Sequence, residues 1–218
     1  MHYQYNSKVK IPFDHLHVEG ELIIPRKAKG IIIFAHGSGS SHLSPRNIMV
    51  ADYLHRKNFG TLLFDLLTVA EDSNYRNRFD IDLLTRRLTN ATVWLEQQPA
   101  AEGYRFGYFG ASTGAAPALK AAAYLPRVDA VVSRGGRPDL AMDMLKKVLV
   151  PTLLIVGSLD YDVLQLNREA YIHLNCEKKL EIIDGATHLF EEKGAMEQVC
   201  ELAGSWFNKY FQPAAIEP

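Results

Sequence analysis

Ser112, Asp160 and His188 are residues of the types that together let a hydroxyl attack an acyl carbon. A serine hydroxyl is a poor nucleophile at neutral pH, so it needs a base, and an imidazole base needs a carboxylate to hold its tautomer. Ser112 stands in Gly110-Ala111-Ser112-Thr113-Gly114, a GxSxG pattern where the apolar run RFGYFGA meets the alanine-rich GAAPALKAAA. A sharp strand-to-helix corner strains the backbone of its central residue, and the flanking glycines remove Cβ atoms that would collide there. The corner also sets the hydroxyl at a helix N-terminus, where free N–H groups favour developing negative charge. Asp160 follows PTLLIVGSL and His188 lies in DGATHLF, so the order along the chain is Ser, Asp, His. Asp162, in the same turn as Asp160, is the competing acid. For a tetrahedral oxyanion, one backbone N–H is expected from Thr113 and a second from Ser38, in the loop His36-Gly37-Ser38-Gly39. His36 is read as shaping that loop and Asp65 as structural. Arg134 and Arg137, in SRGGRPD, either line the pocket and attract an acidic substrate group or bond loop carbonyls and carboxylates.

Such residues must be held at the ends of rigid elements. Six short runs, at 30–37, 60–67, 105–111, 129–136, 151–158 and 179–185, are rich in aliphatic and aromatic residues and read as strands buried on both faces. Each candidate residue falls at or just after such a run, where open parallel sheets bind ligands. Helical patterns lie between the runs. Residues 44–58 open with Ser44 as N-cap and Pro45 at the first helical position, and residues 81–98 stop before Pro99. Further helices are expected over 112–124, 140–147, 164–174 and 195–210. Pro117 predicts a kink or a late helix start five residues past the serine, since it lacks an N–H and presses on the carbonyl of Thr113. KVKIPFDHLHVEGELIIP predicts an antiparallel hairpin at one sheet edge. The expected architecture is α/β, a mostly parallel central sheet with an N-terminal antiparallel hairpin and helices on both faces. The widest gap between strand and helix patterns, 68–79, is too short for a lid domain, which predicts an open, shallow pocket for small substrates.

Composition narrows the remaining classes. The chain has 218 residues, 47% hydrophobic and 22% charged, with a net charge of −1, and no repeat or linker divides it, so residues 1–218 read as one domain. Lys and Arg are scattered, and Arg76–Arg78 sits close to acidic residues, so no nucleic-acid partner is expected. The N-terminal stretch lacks the apolar core of a signal peptide and no run reaches membrane-spanning length; no membrane partner and a cytoplasmic location are the expectations. Cys176 and Cys200 stand far apart, and the eight histidines are dispersed, so neither a disulfide nor a metal site is expected.

The stretches FAHGSGSSHLSPRN, LLFDLLT, RFDIDLL, GYFGASTGAA, VVSRGGRPDLA, PTLLIVGSLD, Leu166-Asn167 and GATHLFEE, spanning residues 31–192, resemble the dienelactone-hydrolase-like group of α/β-hydrolases. The resemblance implies the α/β-hydrolase fold, with Ser112 as nucleophile, His188 as base and Asp160 as acid, acting on small ester or lactone bonds without a cofactor. The same triad type also cleaves thioesters and acyl-peptides, and the fold alone permits a catalytically silent ligand-binding protein. Dienelactone hydrolases proper use a cysteine nucleophile and a glutamate in the oxyanion loop. This chain has Ser112 and His36-Gly37 at those places, so dienelactone itself is not the expected substrate.

Overall fold

The computed structural model describes residues 2–211. The chain begins with the hairpin β1 (Tyr3–Phe13) and β2 (Leu16–Pro25), antiparallel and joined through Asp14, whose φ is 51°. There follow β3 (Ile31–Ala35), α1 (Pro45–Arg56), β4 (Gly60–Phe64), the short α2 (Val69–Asp72), α3 (Ile81–Glu96) and β5 (Phe106–Ala111). The second half comprises α4 (Ala115–Ala122), β6 (Val128–Arg134), β7 (Thr152–Gly157), α5 (Tyr161–His173), β8 (Lys178–Ile183) and α6 (Ala195–Tyr210). The eight strands form one sheet in the order β1-β2-β4-β3-β5-β6-β7-β8. Only the β1–β2 and β2–β4 pairs are antiparallel; the other pairings are parallel.

Burial explains why the central strands read as uninterrupted apolar runs. Ile31, Ile33 and Tyr108 pack with Leu88 of α3, Leu119 of α4 and Ala170 of α5 on one face, while Ile32, Phe34 and Phe109 pack with Leu54 of α1 and Val199 and Phe207 of α6 on the other. Each fully buried Leu, Ile or Phe contributes about 1.5–3 kcal/mol. Helices therefore cover both faces, as expected. Among the described residues no helix is long and apolar enough to cross a membrane.

The strand order decides where a ligand can enter. From β3 the chain moves outward to β4, then returns across β3 to β5, so the connections leaving β3 and β5 diverge. A crevice opens at the carboxyl ends of strands at such a reversal. The two loops that meet there are His36–Gly39 and Ser112–Gly114.

One expectation about elements needs correction. Residues 140–147 form no α-helix; two 3₁₀ turns, Pro138–Ala141 and Leu145–Lys147, take their place. Pro138 starts the first turn, and Arg137 bonds Asp139 through two 2.8 Å contacts that close it, so the chain buries Ala141 and Leu145 without a continuous helix. The 68–79 gap is also structured, by α2 and the 3₁₀ turn Tyr75–Phe79. Thr68 and Glu71 make a reciprocal capping box at its start, and the pattern Thr-x-x-Glu was readable in the sequence.

Candidate active site

Ser112 directly follows β5 and has a φ of 51°, in the left-handed region that non-glycine residues seldom adopt. Such a conformation costs on the order of 1–3 kcal/mol and persists only when its surroundings impose it. Two glycines make the surroundings possible. A Cβ on Gly110 would lie 2.6 Å from Ala115 Cα, and one on Gly114 would lie 2.1 Å from the carbonyl oxygen of Ala35. A 3₁₀ turn over Ser112–Gly114 continues into α4, whose first residue is Ala115. Pro117 is thus the third residue of the α-helix, within the first turn, where no intrahelical acceptor awaits an N–H. The late helix start predicted from Pro117 is present.

The serine faces an imidazole. Ser112 Oγ lies 3.1 Å from His188 Nε2, and His188 Nδ1 lies 2.6 Å from Asp160 Oδ2. Asp160 occupies the N-cap of α5 but makes no cap bond with its side chain; its carboxylate turns to His188 instead. Asp162, in the first turn of α5, is exposed and makes no bond to His188. The histidine loop is clipped from within, since Thr187 Oγ1 donates to Glu192 Oε1 at 2.5 Å and Phe190 N–H donates to Thr187 O at 3.2 Å. An acceptor nitrogen next to a hydroxyl and a donor nitrogen on a carboxylate make up the arrangement that lets imidazole take a hydroxyl proton.

The loop after β3 is held by its own histidine. His36 Nδ1 lies 2.9 Å from Gly37 O, and Leu66 N–H donates to His36 Nε2 at 3.0 Å. The acceptor role of Nε2 leaves the proton on Nδ1, so the ring is neutral. Burial pushes the His36 pKa below its ordinary 6.5, in keeping with that assignment. Asp65 anchors the next stretch by accepting from His42 N–H at 2.7 Å. Both readings from sequence fit this geometry.

Ser38 departs from expectation. Its N–H donates to Thr113 Oγ1 at 2.7 Å, so the Thr113 side chain, to which sequence assigned no part, already holds the amide expected to meet an oxyanion. The Thr113 N–H lies in the opening turn after Ser112, where helix geometry offers no partner. Ser38, Arg78 and Thr113 line one small cleft together with Leu67.

Arg134 and Arg137 part company. Arg137 pairs with Asp139, while its N–H donates to Ser112 O at 3.0 Å. Arg134 is 6% exposed, and among the described residues its side chain has no hydrogen-bond or ion-pair partner. Burial, with the Arg46 charge nearby, lowers its pKa to about 10, which leaves it charged at neutral pH. Asn167 received no role from sequence, yet it is fully buried and its Nδ2 donates to Gly136 O at 2.9 Å and Val163 O at 2.8 Å. It ties α5 to the loop that backs Ser112. The available signal was an asparagine on the apolar face of an amphipathic helix.

Comparison with known proteins shows the family and the fold. The family described as the dienelactone hydrolase family matches residues 18–212. A dienelactone hydrolase from Anabaena variabilis ATCC 29413 is 49% identical and superposes with a TM-score of 0.92, over 95% of this chain and 99% of its own. Est1E from Butyrivibrio proteoclasticus shares the fold at a TM-score of 0.80 and 14% identity, over 93% of this chain and 98% of its own. Two Mycobacterium tuberculosis proteins, from strains CDC 1551 and H37Rv, carry the name phosphoribosyl transferase and are 53% identical over 204 residues. The match covers 93% of this chain and 46% of theirs, so the chain spans about half the length of these relatives.

Proposed function

The chain belongs to the dienelactone hydrolase family of α/β-hydrolases, and from that premise we propose that it is a serine hydrolase cleaving small carboxylic esters or lactones through an acyl-enzyme. The observation that carries the reading is the continuous line from Ser112 Oγ through His188 to Asp160, with steps of 3.1 Å and 2.6 Å. In the first step His188 Nε2 takes the Ser112 proton while Oγ bonds to the acyl carbon and the carbonyl electron pair moves onto oxygen. Asp160 accepts from the imidazole Nδ1–H and offsets the charge that forms on the ring. The Thr113 N–H, and the Ser38 N–H after it releases Thr113 Oγ1, bond the oxyanion. Collapse breaks the bond to the leaving oxygen, which takes the proton from His188. Water then gives a proton to His188, attacks the acyl carbon, and releases the acid as the proton returns to Ser112.

The reading includes small or chain-end acyl groups, since the connection from β4 to α3 adds only the short α2 and one 3₁₀ turn rather than a lid domain. The transferase name of the mycobacterial relatives belongs to proteins about twice as long as the matched region, and that activity is not carried over to this chain. The reading is tested with a fluorophosphonate probe and short p-nitrophenyl esters. Labelling is expected at Ser112, and Ser112→Ala is expected to lower kcat/KM by about 10⁴-fold or more with the fold intact by circular dichroism. Unchanged turnover in that variant would falsify the nucleophile assignment. Parallel assays with thioester and peptide substrates rank the leaving groups.

A further inference from the structure

The bond between Ser38 and Thr113 brings a side-chain hydroxyl to the loop expected to hold an oxyanion. A Cβ on Gly37 would stand 3.1 Å from Ser112 Cβ and 3.7 Å from Ser112 Oγ. The peptide joining Gly37 to Ser38 therefore runs against the nucleophile, and its N–H donates to Thr113 Oγ1 at 2.7 Å. Thr113 is buried, and Leu66, Leu67 and Leu84 line the cleft that it shares with Ser38. In such surroundings a hydrogen bond is stronger than in water, and a polar group left without one is costly.

A hydroxyl has one hydrogen to give as well as lone pairs to accept with. Accepting from the Ser38 N–H is the one hydrogen bond that the Thr113 side chain makes among the described residues, so its hydrogen is uncommitted. As an acyl carbonyl bound over Ser112 gains charge, two oxygens contend for one N–H. An anion that takes the Ser38 N–H lies beside Oγ1, because both accept from the same nitrogen. With a lone pair of Oγ1 turned to that anion the two would repel. Rotation about the Cβ–Oγ1 bond turns the hydrogen to it instead, and no heavy atom has to leave its rotamer.

We propose that the Thr113 hydroxyl is a third oxyanion donor: it accepts from the Ser38 N–H in the resting protein and donates to the oxyanion, beside the N–H groups of Ser38 and Thr113, in the transition state. The proposal rests on the hydrolase reading of Ser112 and adds a catalytic side chain to it. No proton is transferred; the hydroxyl keeps its hydrogen and reverses only the direction of its bond. Because this donor meets charge that develops only in the transition state, it acts on kcat rather than on ground-state binding.

The test compares p-nitrophenyl butyrate with its thiono analogue, in which C=S replaces the acyl C=O and the charge develops on sulfur, a weak hydrogen-bond acceptor. Thr113→Val exchanges the hydroxyl for a methyl group of similar size. It is expected to lower kcat for the oxygen ester by about 10²-fold, with KM within about threefold of wild type. The thiono ester is expected to lose much less, so that the oxo-to-thiono ratio of kcat/KM falls about tenfold or more. Thr113→Ser, which keeps the hydroxyl, is expected to recover most of that ratio. A purely structural side chain would slow both esters alike, so a ratio unchanged in Thr113→Val overturns the proposal. Should Thr113→Val fail to fold by circular dichroism, the ratio is read on Thr113→Ala against Thr113→Ser, and equal ratios in those two overturn it as well. Labelling separates this proposal from the reading beneath it. A fluorophosphonate adduct at Ser112 together with an unchanged ratio removes the Thr113 donor and leaves the hydrolase, whereas a wild-type protein with neither adduct nor turnover removes both.

Discussion

At the scale of single residues, the site depends on partners that fix protons and orientation. His36 holds its loop as a neutral ring because Leu66 gives it a proton donor and Gly37 an acceptor. Asp160 and Asp162 show how two like residues two positions apart acquire different roles. Asp160 precedes the helix and turns to His188, whereas Asp162 lies on α5 and faces outward. Asp160→Asn is therefore expected to lower kcat by about 10⁴-fold, since the amide leaves the imidazole in the wrong tautomer. Asp162→Asn is expected to stay within a few-fold of wild type in the same ester assay. A larger loss at Asp162 would reverse the assignment of the acid.

At the scale of elements, the elbow is set by close approach of backbone to backbone. Gly114→Ala would drive a Cβ to 2.1 Å from the Ala35 carbonyl, which belongs to a central strand and cannot yield. The expected outcome is a loss of about 2–4 kcal/mol in urea unfolding together with loss of fluorophosphonate labelling. A variant of wild-type stability would mean that β3 and the elbow lie further apart than 2.1 Å implies. Asn167 works at the same scale from the opposite side. Asn167→Leu removes the donor to Gly136 O and Val163 O, leaving a buried carbonyl unpaired, and is expected to cost about 1–3 kcal/mol. Its ester hydrolysis should fall as well, because the loop after β6 carries the Arg137 N–H that holds Ser112 O.

At the scale of the whole molecule, buried histidines link stability to pH. Burial lowers the pKa of both His36 and His55 below the ordinary 6.5. The unfolded chain therefore binds more protons, so their contribution is fully present above pH 6.5 and is lost as pH falls from there through the folded-state values. The urea midpoint is expected to be level from pH 8 to 7 and to drop between pH 6.5 and 5, with a shallower drop in His36→Gln. A midpoint independent of pH across that range would show that neither ring is held neutral. The capping carboxylate Glu71 acts lower on the scale: its hydrogen bonds at Thr68 and its pairing with Arg87 hold its pKa below the ordinary 4.5 despite partial burial. Its contribution is lost below that pH.

Much of this protein was legible without coordinates because local rules decided it. Apolar runs on both faces require a covered parallel sheet, Ser44 and Pro45 start a helix, and a GxSxG corner between strand and helix demands an elbow. Those features depend on sterics and hydrogen bonding between residues near in sequence, so spacing carried them. Three decisions belonged to the tertiary structure alone. The turn at Asp160–Asp162 has two acids, and only the approach of the His188 loop from β8 selects one. The Ser38 amide looked free until the packing of β3 against the elbow brought Thr113 Oγ1 to it. Arg134 and Arg137 share one short motif, and their carboxylate partner lies two residues from one and nowhere within reach of the other. In the first two the deciding contact joins segments remote in sequence, and in the third Arg137 is settled by nearby Asp139 while the fold buries Arg134 apart from such a partner; each outcome depends on distances that chain order does not contain.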